Sequence, residues 1–413
     1  MTSSTHTAVR RPFWRDPLFI IIAGCLISLI SFGVRATYGL FNDPITIAYG
    51  WNREVFAFAV AIQNLVWGIG QPLAGVVADR YGTARVLIAG GVLYVAGVAL
   101  TAVSATPLAM TLSAGVLVGL GLSGASMGIV ITAFGKLVSE ERRSWAMGLG
   151  TAAGSAGQLL FAPLGQAFIS AYGWQTALLL LAASAALLPL LAGALKTRSD
   201  GSGRERVPEI EMPFTHAMRL AFGHSSYLLL IAGFFVCGFQ LAFITVHLPP
   251  YLASVGVDVS IAAWAIAMIG LFNIVGSYGA GVLGGRRSKR YLLSWLYIGR
   301  AAAIAIFISI PQTPTTVLVF AAIMGLMWLS TVPLTSGLVA VMFGTRYLST
   351  LFGVVFLSHQ VGSFLGVWLG GIMFDRFGNY DLVWWAAVAL GLFAAIVHLP
   401  IVETRVQRFV ATG

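Results

Sequence analysis

Twelve apolar runs, each long enough to cross a bilayer as a helix of about 20 residues, fill nearly the whole chain. They fall at 18–41, 54–78, 85–104, 107–135, 144–170 and 174–195, then at 226–250, 260–284, 291–310, 314–340, 349–374 and 381–401. Strand-length segments of about ten alternating residues, the mark of a membrane β-barrel, are absent from the pattern. Only 9% of the residues are charged against 58% hydrophobic. A soluble domain carries about 25% charged residues, so this chain could not solvate itself in water. The expected fold class is an all-α membrane protein of twelve transmembrane helices. The 48 glycines fit, because small residues let membrane helices pack closely.

The longest break between runs, 196–225, holds Lys196, Arg198, Asp200, Arg204, Glu205, Arg206, Glu209 and Glu211 among Gly and Pro. It reads as a solvated linker. The expected organisation is therefore an N-terminal six-helix bundle (1–195), a cytoplasmic linker (196–225) and a C-terminal six-helix bundle (226–413). The net charge of +10 would suggest nucleic acid in a soluble protein. Its distribution points elsewhere. With the N-terminus in the cytoplasm, 20 of the 24 Lys and Arg lie on the cytoplasmic side, among them Arg10, Arg11, Arg15, Lys136, Arg142, Arg143 and the cluster from Arg286 to Arg290. Only Arg53 and Arg376 lie outside, and Arg35 and Arg300 fall within helices. Positive charge on cytoplasmic loops sets orientation, so both termini are expected in the cytoplasm and no nucleic-acid partner is implied. The segment from Met1 to Arg11 is short and polar, no small-residue cleavage site follows, and the first run is too long for a signal-peptide core. It is expected to be a retained span in the inner (cytoplasmic) membrane.

The two halves repeat. A shift of 205 residues lays Gly148 on Gly353, Gly157 on Gly362, Gly165 on Gly370 and Gly173 on Gly378, with Ser144 on Ser349. A similar shift sets Arg80 over Arg286. Repeated halves are expected of a transporter whose site lies between them near the bilayer midplane.

The stretch GVVADRYGTAR, from Gly75 to Arg85, resembles the signature loop between helices two and three of the major facilitator superfamily, matched at Gly75, Asp79, Arg80, Gly82 and Arg85. The second half keeps a worn copy, GVLGGRRSKR, with Gly285 in place of the acid. The segment FGVRATYGLFNDPITIAYGWNRE is similar to bacterial relatives of the monocarboxylate transporters and oxalate/formate antiporters. The resemblance covers nearly the whole chain. It implies the major facilitator fold, two pseudo-symmetric bundles that rock about a central site, and a cytoplasmic gate at the signature loop. Asp79, at a helix end, is expected to pair with an Arg or cap a helix N-terminus there. Monocarboxylate relatives carry an Asp and an Arg four residues apart on helix eight. In the nearest register this chain has Asn273 and Ser277, so other residues would have to take those roles.

Ionisable groups inside a span are costly and are functional candidates by default. Arg35 lies in helix one, Arg300 in helix nine and His359 in helix eleven, while His247 and His398 sit near helix ends. All 14 Asp and Glu fall in loops, termini or helix ends. Two deep Arg without a deep acid call for a negatively charged substrate, and a guanidinium fork suits a carboxylate. In the family's fold helix nine belongs to the outer scaffold, so Arg300 would either meet substrate or anchor helix packing. Histidine is the side-chain type that changes charge near neutral pH, which makes His359 the candidate proton carrier. Neutral groups at similar depth complete a candidate site: Tyr38, Gln63, Asn64, Trp67, Gln158, Gln240, Asn273 and Trp328.

Other chemistries find no support. There is no phosphate loop with a Lys-Ser/Thr end, no serine elbow, no metal-binding His pair and no CxxC. GLGLSG at 119–124 sits inside an apolar helix and reads as small-residue packing. Cys25 and Cys237 read as buried small hydrophobes. The expectation is a monomeric secondary transporter without cofactor or metal, not an enzyme, that carries a small carboxylate by alternating access with proton coupling. The rival readings are an anion–anion exchanger, an exporter of drugs or hydrophobic metabolites with the same fold, and a membrane sensor. A deep acid, which a cation exporter needs, is missing, and the longest loop is too short for a signalling domain.

Overall fold

The computed structural model describes residues 16–138, 140–196, 214–344 and 348–406. The expectations at Arg10, Arg11, Arg15 and across most of the linker lie outside those residues. All regular structure among the described residues is helical. Among the described residues, eleven helical stretches are long and apolar enough to cross a membrane. One of them, Ala146–Leu195, has 50 residues. A straight helix of that length would span about 75 Å at 1.5 Å per residue, far beyond a hydrocarbon core of about 30 Å. It is broken at Gly173, whose φ of 79° and ψ of 165° leave helical geometry and favour a residue without Cβ. The break makes two helices and brings the total to twelve.

In chain order these are α1 (Pro17–Tyr49), α2 (Arg53–Tyr81), α3 (Thr83–Thr101), α4 (Pro107–Phe134), α5 (140–172), α6 (174–195), α7 (Ser225–Ser254), α8 (Val259–Gly284), α9 (Lys289–Ser309), α10 (Pro314–Phe343), α11 (Leu348–Phe377) and α12 (Asp381–His398). A short amphipathic helix, Phe214–Phe222, precedes α7. Helix α1 runs further than its apolar pattern indicates. A 3₁₀ turn at Tyr38–Phe41 redirects the chain, and Asn42–Tyr49 continues as helix with Asn42 buried. The polar pair Asn42-Asp43 marks that change of direction rather than the end of the span.

Two buried apolar clusters organise the molecule. One is drawn chiefly from residues 20–195 and the other chiefly from 221–401. The repeated glycines explain how helices within each half approach so closely. A Cβ at Gly157 would strike the Leu29 carbonyl of α1, and one at Gly362 would strike the Phe235 carbonyl of α7. Equivalent glycines thus seat α5 on α1 and α11 on α7, the close small-residue contact that membrane helices use in place of a hydrophobic driving force.

Both α4 and α10 are interrupted at positions that nearly correspond in the repeat, the first segments ending at Gly124 and Met327 and the second beginning at Met127 and Thr331. In α4 the helix stops at Ala125 (φ −97°, ψ 27°) and restarts after Ser126 in extended conformation (ψ 154°).

The halves meet along two seams, α2 against α11 and α5 against α8. Asp16 and Val406, the first and last described residues, lie on one face, here the terminal face; Arg53 and Asp375 lie on the far face. At the far face the halves are pressed together. Gly39 packs on the Thr245 carbonyl, Gly371 on the backbone of Glu54, and Phe58 stands edge-on to Trp368 at 5.9 Å. Towards the terminal face Pro72 of α2 lies beside Gly353 of α11, and Gly75, Gly148, Gly279 and Gly281 have open space where a Cβ would be.

Candidate functional site

Arg35 occupies the last turn of the first segment of α1, just before the 3₁₀ turn. The Thr37 hydroxyl bonds the Val34 carbonyl at 2.7 Å, which helps end the segment there. Arg35 is only partly buried. Its Nη2 donates to Asn64 Oδ1 at 2.6 Å, and Asn64 is itself fixed by donating to the Val60 carbonyl at 2.9 Å. The guanidinium carbon sits 4.8 Å from the Trp67 ring centroid and 6.0 Å from that of Phe32, so Arg35 rests on aromatic faces. Among the described residues it has no carboxylate partner. Its buried Nε has no hydrogen-bond partner, and neither has the buried indole Nε1 of Trp67. An unpaired buried donor costs about 1–3 kcal/mol, and here one belongs to the guanidinium itself and the other to the ring beneath it.

Trp67 crosses the seam. Its ring meets Phe356 of α11 edge-on at 5.4 Å, and Phe356 lies nearly parallel to His359 at 5.7 Å with an interplanar angle of 7°. His359 also touches Phe234 of α7 at 5.1 Å, and its Nδ1 donates to Gln360 Oε1 at 3.1 Å. Phe32, Arg35, Trp67, Phe356 and His359 are all partly exposed. They come from α1, α2 and α11, helices that face one another, so their free surface borders the space between the halves. Arg35, Asn64, Trp67 and His359 are therefore brought together as one continuous strip.

The other sequence candidates go elsewhere. Gln63 turns into its own half and donates to the Ala114 carbonyl of α4 at 2.8 Å. Tyr38 is buried and stacks on Phe56 at 6.4 Å. Gln240 is fully buried and donates to the Ala387 carbonyl of α12 at 2.9 Å. Asn273 and Gln158 lie at the second seam. Asn273 donates to the Ser155 hydroxyl of α5 at 2.9 Å and accepts from Ser277 and from the Leu329 N–H in the α10 break. Gln158 packs on Gly270 of α8, and its buried Oε1 has no partner.

Arg300 is fully buried and its donors are engaged. Nε donates to the Met327 carbonyl at 3.1 Å, Nη2 to the Met327 and Trp328 carbonyls, and Nη1 to Cys237 Sγ at 3.4 Å. Met327 ends the first segment of α10, whose last carbonyls have lost their helical partners. A guanidinium there satisfies them and faces the negative end of the helix dipole. Arg300 and Trp328 are thus parts of the α10 break, and Arg300 meets the His359 end of the strip through Cys237, which interacts with both side chains.

At the signature loop, Gly82 takes φ 92° to turn between α2 and α3, the Arg80 guanidinium lies 5.3 Å from the Tyr81 ring, Arg85 is exposed and Gly75 has open space beside it. The Asp79 side chain lies outside what the structure describes.

Sequence reasoning missed Phe32 and Phe356, because a Phe in an apolar run carries no signal of its own. It also missed the far-face network. Asp375 of α11 accepts from the backbone N–H of Arg53 at 3.1 Å and of Glu54 at 2.7 Å. Arg53 pairs with Asp43 at 2.9 Å and lies 3.8 Å over the Phe374 ring, and Trp368 donates to Glu54 at 3.2 Å. A pocket of about 330 Å³ that includes Asp43, Trp51, Asn52 and Asp375 sits on this seal. The cross-half signal was readable only as charged residues at the first turn of α2 and the last turn of α11.

Comparison with known proteins agrees with this architecture. The model of the Major Facilitator Superfamily matches residues 24–307 and 230–412. An uncharacterised MFS-type transporter of Bacillus subtilis (strain 168), YcxA, is 26% identical over 395 residues, covering 93% of this chain and 95% of that protein. Rat monocarboxylate transporter 13 is 25% identical over 370 residues, with 87% and 83% covered. Among solved structures, a bacterial homologue of the human lysosomal transporter Spinster, inward-facing and unoccupied, superposes with a TM-score of 0.78 at 16% identity over 94% of this chain and 97% of that one. The inward-open xylose transporter XylE from E. coli gives 0.73 at 14% identity, covering 94% and 96%. With repeated six-helix halves, a polar strip at their seam and transporters as its relatives, the chain is a transport protein rather than an enzyme, related to the monocarboxylate transporters, and belongs to the Major Facilitator Superfamily.

Proposed function

We propose that the protein is a secondary active transporter of a small organic anion, a carboxylate, which it moves by alternating access coupled to protons. The observation that carries this reading is Arg35. It is a cation at the seam between the halves, with no carboxylate partner among the described residues and with Nε unpaired beside the unpaired Trp67 Nε1. A buried cation without compensation is expensive, and a carboxylate that enters the seam supplies both charge and acceptors. His359 at the other end of the strip is the proposed proton carrier, because imidazole gains and loses a proton near neutrality. The names of the monocarboxylate relatives support the substrate class.

The packed far face, with open space at Gly75, Gly148, Gly279 and Gly281 towards the terminal face, supports a state open on the terminal side. The Lys and Arg distribution supports a cytoplasmic position for that side, in the inner membrane of the cell. The domain limits 1–195, 196–225 and 226–413 are part of the same proposal, as is a monomeric working unit.

The test is uptake of radiolabelled carboxylates by proteoliposomes under an imposed pH gradient. Carboxylate uptake that rises with inward proton flow, falls by at least about tenfold in Arg35→Ala and loses its pH drive in His359→Gln supports the proposal. Uptake of neutral or cationic compounds without any carboxylate uptake overturns it.

A further inference from the structure

The strip that begins at Arg35 also limits what kind of carboxylate can occupy it, given that the carboxylate reading is right. Charge comes first. Arg35 is the one Lys or Arg in the strip, and the other deep guanidinium, Arg300, is fully buried with its donors on the Met327 and Trp328 carbonyls and on Cys237. One fixed positive charge in a poorly solvated seam balances one negative charge. A second carboxylate on the same ligand would be desolvated without a partner.

The donors come second. Nη2 of Arg35 donates to Asn64, while Arg35 Nε, the Trp67 indole N–H and the amide nitrogen of Gln360, which bonds His359, are buried without a partner. All three donate and none accepts, so the group they favour is an anionic or carbonyl oxygen rather than a hydroxyl-rich surface. A sugar-like ligand would need acceptors as well.

The rings come third. Phe32, Trp67, Phe356 and His359 run from the guanidinium into the other half without an aliphatic gap, with Trp67 edge-on to Phe356 at 5.4 Å and Phe356 parallel to His359 at 5.7 Å. All four are partly exposed, so ring faces and edges are available beside the carboxylate position. A flat π-system gains stacked and edge-to-face contacts on such a surface that a flexible chain of equal size does not, and it loses less conformational freedom on binding.

We propose that the substrate is an aryl monocarboxylate, with its carboxylate on Arg35 and Trp67 and its ring against Trp67, Phe356 and His359. Phe356 is then a specificity-determining residue. It touches the ring and leaves the carboxylate alone.

The test is calorimetric titration of the purified full chain in detergent with benzoate, butyrate, phthalate and benzamide. The expected result is benzoate binding at least about tenfold tighter than butyrate or phthalate, with benzamide silent. Phe356→Leu weakens benzoate by more than it weakens butyrate and so narrows the preference, Phe356→Tyr keeps the preference, and Arg35→Gln abolishes both. Butyrate binding as well as benzoate overturns the aryl assignment while the carboxylate reading stands. Phthalate binding tighter than benzoate overturns the single-charge argument in the same way. Binding of benzamide with none of the anions overturns both this inference and the carboxylate reading. The wild-type panel alone decides between these outcomes, so the result does not depend on how well a variant folds.

Discussion

Asp375 holds the backbone N–H of Glu54 at 2.7 Å, and through that contact it ties the C-terminal half to the N-terminal half at the far face. The same carboxylate takes the N–H of Arg53, so it caps the start of α2 from across the seam. The first N–H groups of a helix have no partner within it, and a negative charge there also meets the positive end of the helix dipole. A transporter that opens at this face must break the cap. Hydrogen bonds to a charged acceptor are worth about 1.5–3 kcal/mol each, so Asp375→Ala should move the balance towards the far-open state by at least about tenfold. Spin labels at Ile47 and Leu382, both well exposed, report the change as a longer distance population. An unchanged distance distribution would show that the cap does not hold this face.

Gly39 gives a steric counterpart. A Cβ there would strike the Thr245 carbonyl and crowd the Val246 backbone of α7. Gly39→Val should therefore wedge the far face apart. The expected result is the same lengthening of the Ile47–Leu382 distance, together with transport reduced by at least about tenfold, because a carrier that cannot close one gate cannot complete its cycle. Substrate affinity in detergent should change by less than about threefold, since nothing in the Arg35 strip has been altered.

Arg300 should behave as a structural residue. Arg300→Ala leaves the Met327 and Trp328 carbonyls buried and unpaired, at a cost of about 1–3 kcal/mol each. A lower melting temperature in detergent is expected, with unchanged affinity in the fraction that remains folded. Arg300→Lys keeps the charge without the fork and should fall between. Lost affinity at an unchanged melting temperature would place Arg300 in the substrate site instead.

The tail after α12 carries a titratable clasp. Glu403 accepts from the Ser288 hydroxyl at 2.5 Å and from the Arg290 N–H at 2.7 Å, at the start of α9. Partial burial alone would push its carboxyl up. The bonds from Ser288 and from the Arg290 and Lys289 backbone outweigh that and hold it below the usual carboxylate range. A group depressed on folding contributes stability that is present above its unfolded pKa and is lost as pH falls through its folded value. The clasp should thus hold at neutral pH and release only in acid. Tryptic cleavage after Arg405 reads this out: slow for the wild type at neutral pH, and fast there in Glu403→Gln. Equal cleavage rates for the two chains would remove the clasp.

The fold was legible because membrane insertion leaves a length-and-polarity record that no tertiary contact can hide. The site was legible in part, for a related reason. Arg35 and His359 stand out as ionisable groups in apolar runs. Asn64 and Gln63 are neighbours in sequence with the same polarity, yet the turn of about 100° between them sends one to Arg35 and the other to the Ala114 carbonyl. Only the packing of α1 and α4 around α2 decides which. Arg300 was visible as a charge, but its partners are backbone carbonyls freed by the break in α10, and every residue has a carbonyl. Phe356 gave no signal because its role depends on which helix faces it. Asp375 read as a loop charge because the helix it caps lies more than 300 residues away in the chain.

The fastening of Arg300 has a consequence for biogenesis. A guanidinium in the middle of a hydrophobic helix costs about 2.5–3.5 kcal/mol to place in lipid alone. The carbonyls that Arg300 satisfies belong to Met327 and Trp328, in the next helix to emerge from the ribosome. Helix α9 is therefore a poor passenger by itself and a good one as the first arm of a hairpin. The insertion machinery should retain α9 until α10 arrives and release the two as a pair, with the interrupted helix serving as the counterpart its predecessor waits for.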